Sequence, residues 1–231
     1  PARPVALRED SIRLEDRMSI MTQEDMESVR FALSHARMST YEAAMAHDYM
    51  SALRLYAWNA QVSAALFASI QICEVVIRNA VSDALEEIYG QQWAWNATFI
   101  KSLPFRRRQE LETAREGLQT VGQVIPELSF YFWQQMFTNR HFGRIWENHI
   151  ERIFPNMDKK MEKQLKRIHI HDELEHIRNL RNRIAHHEPI FRSDLEADFQ
   201  RIVNLVMLKC STSAQWLVQN NLFTTIYSQK P

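Results

Sequence analysis

Apolar residues recur along most of this chain at helical rather than strand spacing. From Asp48 to Ile88 the sequence runs without a glycine or proline. Leu53, Tyr56, Ala60, Ala64, Phe67 and Ile70 fall there at intervals of three and four, which predicts one long helix or two nearly collinear ones. Gly90 is placed to end it, since glycine is enriched just past helix ends. Upstream, Met26 to Ala46 reads as a helix. Downstream, an aromatic connection (Trp93, Trp95, Phe99) leads through Pro104 to a charged helix over Phe105 to Leu118. Pro126 opens a short apolar helix holding Phe130, Phe132, Trp133 and Phe137. The spacing then predicts helices over Gly143 to Phe154, Asp158 to Ile168 and Asp172 to His187, the last stopped by Pro189. A final helix reaches about Val218, started by Ser193 and Glu196 as a capping box. The expectation is an all-α helical bundle with one long N-terminal helix. Residues 1–25, charged and without a sustained period, read as an upstream extension, and 26–231 as a single helical domain with no internal repeat.

Composition narrows the function classes. With 231 residues and 45% hydrophobic content the chain can bury a sizeable core. Lys plus Arg and Asp plus Glu are equal at 28 each, so no whole-molecule field draws it to nucleic acid or an anionic membrane, and any such contact is local. Cys73 and Cys210, in helical and largely apolar stretches, read as reduced thiols. No uninterrupted apolar run reaches the roughly 18–20 residues of a membrane span. A cytoplasmic protein with no membrane partner is expected.

One segment concentrates chemistry. Between Ile177 and Glu188 lie three arginines, two asparagines and two histidines. On a helix Asn182 and His186 share a face, as do Arg183 and His187, and Arg181 reaches round to the same side, while Ile177, Leu180 and Ile184 form an apolar back. Cleaving RNA without a metal needs a base for the 2′-hydroxyl proton, an acid for the leaving 5′-oxygen and a cation for the charge on phosphorus. Histidine titrates near neutral pH, and the arginine fork fits phosphate oxygens. One copy offers a single favoured histidine, so two copies are expected to meet across a symmetric dimer. The competing reading is a helix C-terminus whose cations complement the macrodipole.

At these residues the chain resembles the HEPN superfamily, marked by Arg, a polar residue, a short spacer and His: here Arg181, Asn182, Arg183-Ile184-Ala185 and His186. More narrowly, Leu180 to Ile190 resembles the closing motif of the Abi-like family of abortive-infection proteins. So do Leu55 to Asn59 with Ser63 to Phe67, Glu74 to Asn79, and Leu128 to Trp133. The resemblance, spanning Met38 to Trp216, implies a dimerising HEPN-like bundle and an endoribonuclease that often acts as a toxin or phage-defence effector and leaves a 2′,3′-cyclic phosphate. Some relatives keep the fold without cleaving RNA.

The expected site is therefore Arg181 as phosphate clamp, Asn182 as orienter and His186 as general acid or base, with RNA as substrate and no cofactor. Arg178, Arg183, His187, Arg78 and Asn79 are candidate RNA contacts, although Arg78 could equally be braced by Glu74 four residues earlier. An antitoxin or a phage-derived activator is a possible partner. The basic run Lys159, Lys160, Lys163, Lys166 and Arg167 reads as a solvated face. No metal site is expected, because His169, His171 and His176 lack the i,i+3 or i,i+4 spacing of helical ligands. The tryptophans and phenylalanines read as core or dimer-seam packing rather than base-stacking surfaces.

Overall fold

The computed structural model describes residues 21–231, and the regular structure among them is helical throughout. The expectation for residues 1–25 falls largely outside the described residues. The chain divides into two compact units, one ending at Trp58 and the other running from Asn59 to Lys230.

In the first unit α1 (Gln23–Leu33) starts with a capping box between Thr22 and Asp25. Instead of one helix over Met26 to Ala46, the chain breaks at Ser34, whose φ of 73° ends α1 and lets its hydroxyl cap α2 (His35–Ala44). Arg30 is bonded through both Nε and Nη2 to the buried Glu42 at 2.5 and 3.0 Å, and this guanidinium holds the Glu42 carboxyl below the usual range. Helix α3 (Tyr49–Tyr89) is the long helix predicted from the sequence, and Gly90, which takes φ 84°, follows its end.

By length and composition alone α3 could cross a bilayer, although its apolar residues form no uninterrupted run. A core helix passes the same test, and Val62, Leu66, Ile70, Cys73, Ile77, Val81 and Leu85 form a buried stripe at spacings of three and four.

In the second unit the aromatic connection forms a 3-10 turn (93–95) and α4 (Ala97–Ser102), followed by α5 (Phe105–Ala114), the short α6 (Val121–Val124) and α7 (Phe130–Gln135). A π-helical turn over 142–146 precedes α8 (Glu147–Ile153). The two helices expected at 158–168 and 172–187 are one, α9 (Lys163–Ala185). Nothing between them breaks the hydrogen-bond ladder, since Gly and Pro are absent. Conversely, the expected last helix, to about Val218, is two. Asp194, not Ser193, caps α10 (Leu195–Lys209), and the extended Cys210 then restarts the chain as α11 (Ser211–Gln219), with α12 (Phe223–Tyr227) behind it.

Helix α9 is the hub, packing against α7, α8 and α10 through Ile170, Leu174, Ile177, Leu180 and Ile184. Around it Trp93, Phe99, Phe132, Trp133, Phe137, Trp146 and Phe154 are fully buried, with Phe137 and Trp146 stacked at 4.4 Å. Burying rings of this size contributes much of the unit's apolar gain.

Candidate functional site

The C-terminal half of α9 forms one wall of an open pocket of about 380 Å3. Arg178, Arg181 and Asn182 line this wall, Glu74 of α3 and Glu110 of α5 face it, and Pro126 to Tyr131 close it from the turn into α7. The positioning follows from helical periodicity. Ile177, Leu180 and Ile184 bury the opposite face, which leaves 178, 181 and 182 on the face turned outward.

Each arginine in the segment has a different role. Arg178 donates from Nε to Oε1 of the buried Gln134 at 2.8 Å and lies with its Cζ 5.2 Å from the Tyr131 ring centroid. Arg181 makes no hydrogen bond or ion pair at contact distance among the described residues, but its charge acts on Glu74. Arg183, expected as an RNA contact, instead fastens the turn after the helix. It donates to Ser193 Oγ and to the Pro189 carbonyl, each at 2.7 Å, and its Nε lies 3.4 Å from Glu188.

Glu74 is half-buried, and desolvation pushes its carboxyl above the ordinary glutamate range against the opposing pull of Arg181 and Arg78. On the same helix the Arg78 Nε is buried without a hydrogen-bond partner, and Asn79 is exposed. Neither lines the pocket.

His186 is the C-cap of α9; its backbone N–H donates to the Asn182 carbonyl at 2.9 Å and its side chain is exposed. The pocket walls do not include it. It stands instead at the end of the ridge Arg178, Asn182, His186, whose members are four residues apart. Among the described residues its ring has no hydrogen-bond or ion-pair partner. His187, also exposed, takes the left-handed conformation (φ 56°) that turns the chain toward Pro189. The turn is held from the second unit's start, where Asn59 Oδ1 accepts the N–H groups of Ile190 and Phe191 at 2.9 and 3.2 Å.

Arg178, Arg181 and Asn182 thus come together, His186 adjoins them along the helix, and Arg183, His187, Arg78 and Asn79 lie elsewhere. Comparison with protein-family models, with curated proteins and with solved structures returns no match for this chain. The family resemblance therefore rests on the chain's own residues. Among the described residues no group of three or more His, Cys, Asp or Glu side chains is placed to hold a metal ion.

Sequence reasoning gave Tyr131, Gln134, Glu110 and Ser129 no role in the site. Glu110 Oε1 accepts both the N–H and the hydroxyl of Ser129, at 3.0 and 2.6 Å, and Glu110 also pairs with Arg107. A signal for this wall was available in Ser129-Phe130-Tyr131-Phe132-Trp133. The serine is a helix cap, and the one ring carrying a hydroxyl is the one left exposed.

Proposed function

We propose that this chain is a metal-independent endoribonuclease of the Abi-like HEPN type. In this reading it acts in the cytoplasm as a homodimer and serves as a toxin or phage-defence effector, held or released by an antitoxin or a phage-derived activator. The observation that carries the reading is the open pocket where Arg178, Arg181 and Asn182 converge, with the unengaged His186 ring at the end of the same ridge.

Arg181 is the phosphate clamp, because its guanidinium is not committed to a protein acceptor at contact distance. Asn182 orients the ribose or the neighbouring imidazole. His186 takes the proton of the 2′-hydroxyl, O2′ bonds to phosphorus, and the P–O5′ bond breaks as O5′ receives a proton from the imidazole of a second copy. The products are a 2′,3′-cyclic phosphate and a 5′-hydroxyl, with no metal or water consumed.

A second reading, a non-catalytic RNA-binding or protein-interaction module on the same bundle, is favoured by a different observation. Glu74, Glu110 and Glu127 line the pocket beside its two arginines, and the His186 ring is outside it. RNA cleavage in EDTA separates the two. The parent should generate cyclic-phosphate ends, and His186→Ala should slow cleavage about 10²–10⁴-fold while melting like the parent. A His186→Ala protein as fast as the parent removes His186 from the reaction; a parent that binds RNA but never cuts it establishes the second reading.

A further inference from the structure

The pocket carries a second built feature beside the arginines. Tyr131, at the start of α7, is 42% exposed although the residues on either side, Phe130 and Phe132, are buried. Its ring meets two guanidiniums from different helices, Arg107 of α5 at 4.9 Å and Arg178 of α9 at 5.2 Å from the centroid. Both are anchored from behind: Arg178 by the buried Gln134, and Arg107 by Glu110, itself held by Ser129. The result is a chain of fixed partners, from Gln134 through Arg178, Tyr131, Arg107 and Glu110 to Ser129, with the partly exposed Tyr131 in the pocket wall.

Such rigidity at an exposed ring does not fill the core. It matters if a planar group must find the surface already in place, because an ordered receptor side chain loses little entropy on binding. Rings and guanidinium planes are the surfaces on which unstacked nucleobases rest, and they accept any base because every base has a π-face. The volume is at the small end for ligand pockets, which run from roughly 300 to 1,000 Å3, so it suits one nucleotide and not a duplex.

We propose that the Tyr131–Arg178 surface is a base-stacking subsite for a single unpaired nucleotide, placed beside Arg181 so that a flanking phosphate reaches the clamp. The subsite rests on the nuclease reading above. Duplex RNA keeps its bases stacked on one another and gains nothing from the surface.

The test is fluorescence anisotropy with a short labelled single-stranded RNA of mixed sequence and with its duplex. It uses the full chain carrying His186→Ala, so that the probe survives. Added Tyr131→Ala should weaken single-strand binding about 5- to 100-fold, the range for one stacked base. Tyr131→Trp should stay close to the parent, and duplex binding should not change. Tyr131→Leu keeps the apolar volume without the π-face, and it should lose affinity like the alanine variant even if that variant folds poorly. If both the leucine and alanine variants bind single strands as the parent does, the subsite is overturned while the nuclease reading stands. If the parent itself binds no single-stranded RNA, both fall together.

Discussion

The two ends of α9 are both rich in basic residues and have opposite fates. Near its start, Lys166 and Arg167 belong to a basic run that reads as a solvated face, yet they are only 1% and 6% exposed. Lys166 Nζ meets Glu151 at 2.6 Å, and Arg167 donates to the Phe137 carbonyl and, at 3.3 Å, to Gln164. Near its end, Arg178 and Arg181 line an open pocket, and Arg181 has no contact-distance acceptor among the described residues. Buried cations must be matched, because an uncompensated charge in the interior is very costly. A cation left uncommitted at a pocket wall is available to an external anion. What separates Arg167 from Arg181 is the completeness of the partner set rather than position in a charged run, and only on the nuclease reading is Arg181 the functional one.

The sharpest way to break this contrast is to delete one arginine from each end. On the nuclease reading, Arg181→Ala should slow cleavage about 10²–10³-fold, the scale for losing one donor to a developing anion, and leave the melting temperature within error of the parent. Arg167→Ala should do the reverse. It strands the buried Phe137 carbonyl and should cost about 2–3 kcal/mol, lowering Tm by roughly 4–10 °C in a melt followed by circular dichroism. A stable Arg167→Ala protein, or an unfolded Arg181→Ala one, would contradict this contrast between the two ends.

A smaller effect is expected where the pocket helix ends. Asn59→Ala removes the acceptor of the Ile190 and Phe191 N–H groups and should cost about 1–2 kcal/mol. Hydrogen exchange should quicken at those two amides before it does in α10, because the turn after His187 loses its fastening while the helix keeps its own ladder.

The sequence makes the α9 ridge legible because helical periodicity alone puts Ile177, Leu180 and Ile184 inward and leaves Arg178, Arg181 and Asn182 outward. The long α3 is legible for the same reason, together with Gly90 as its stop. What could not be read depends on partners distant in the chain. Whether Lys166 is solvated depends on Glu151, whether Arg183 faces RNA depends on Ser193 and the Pro189 carbonyl, and the role of Tyr131 depends on Arg107 and Arg178 arriving from two other helices. The helix joins failed for a local reason. A polar stretch with no Gly or Pro reads as a boundary yet continues the helix at 163–185, whereas Cys210, with no breaker beside it, interrupts one because its side chain caps the next turn.

The subtlest expected difference is between two glutamates that face the cations of this same helix. Hydrogen bonding to Lys166 lowers the Glu151 carboxyl, whereas burial raises that of Glu74 despite Arg181 and Arg78. A lowered carboxyl stabilises the fold above the ordinary glutamate range, and that contribution disappears as pH falls through the folded value. A raised one works oppositely: the folded state holds the proton more tightly, so the contribution is full below the ordinary range and is lost as pH climbs through the folded value. Glu151→Gln should therefore lower Tm at neutral pH and converge on the parent in acid. Glu74→Gln should leave Tm slightly higher at neutral pH, because desolvation of the charge outweighs the arginines that attract it. On the nuclease reading it should also bind RNA more tightly, since Arg181 is released from a competing carboxylate. Melts of both variants from acid to neutral pH decide the matter, and parallel curves for the two would mean that burial does not raise Glu74.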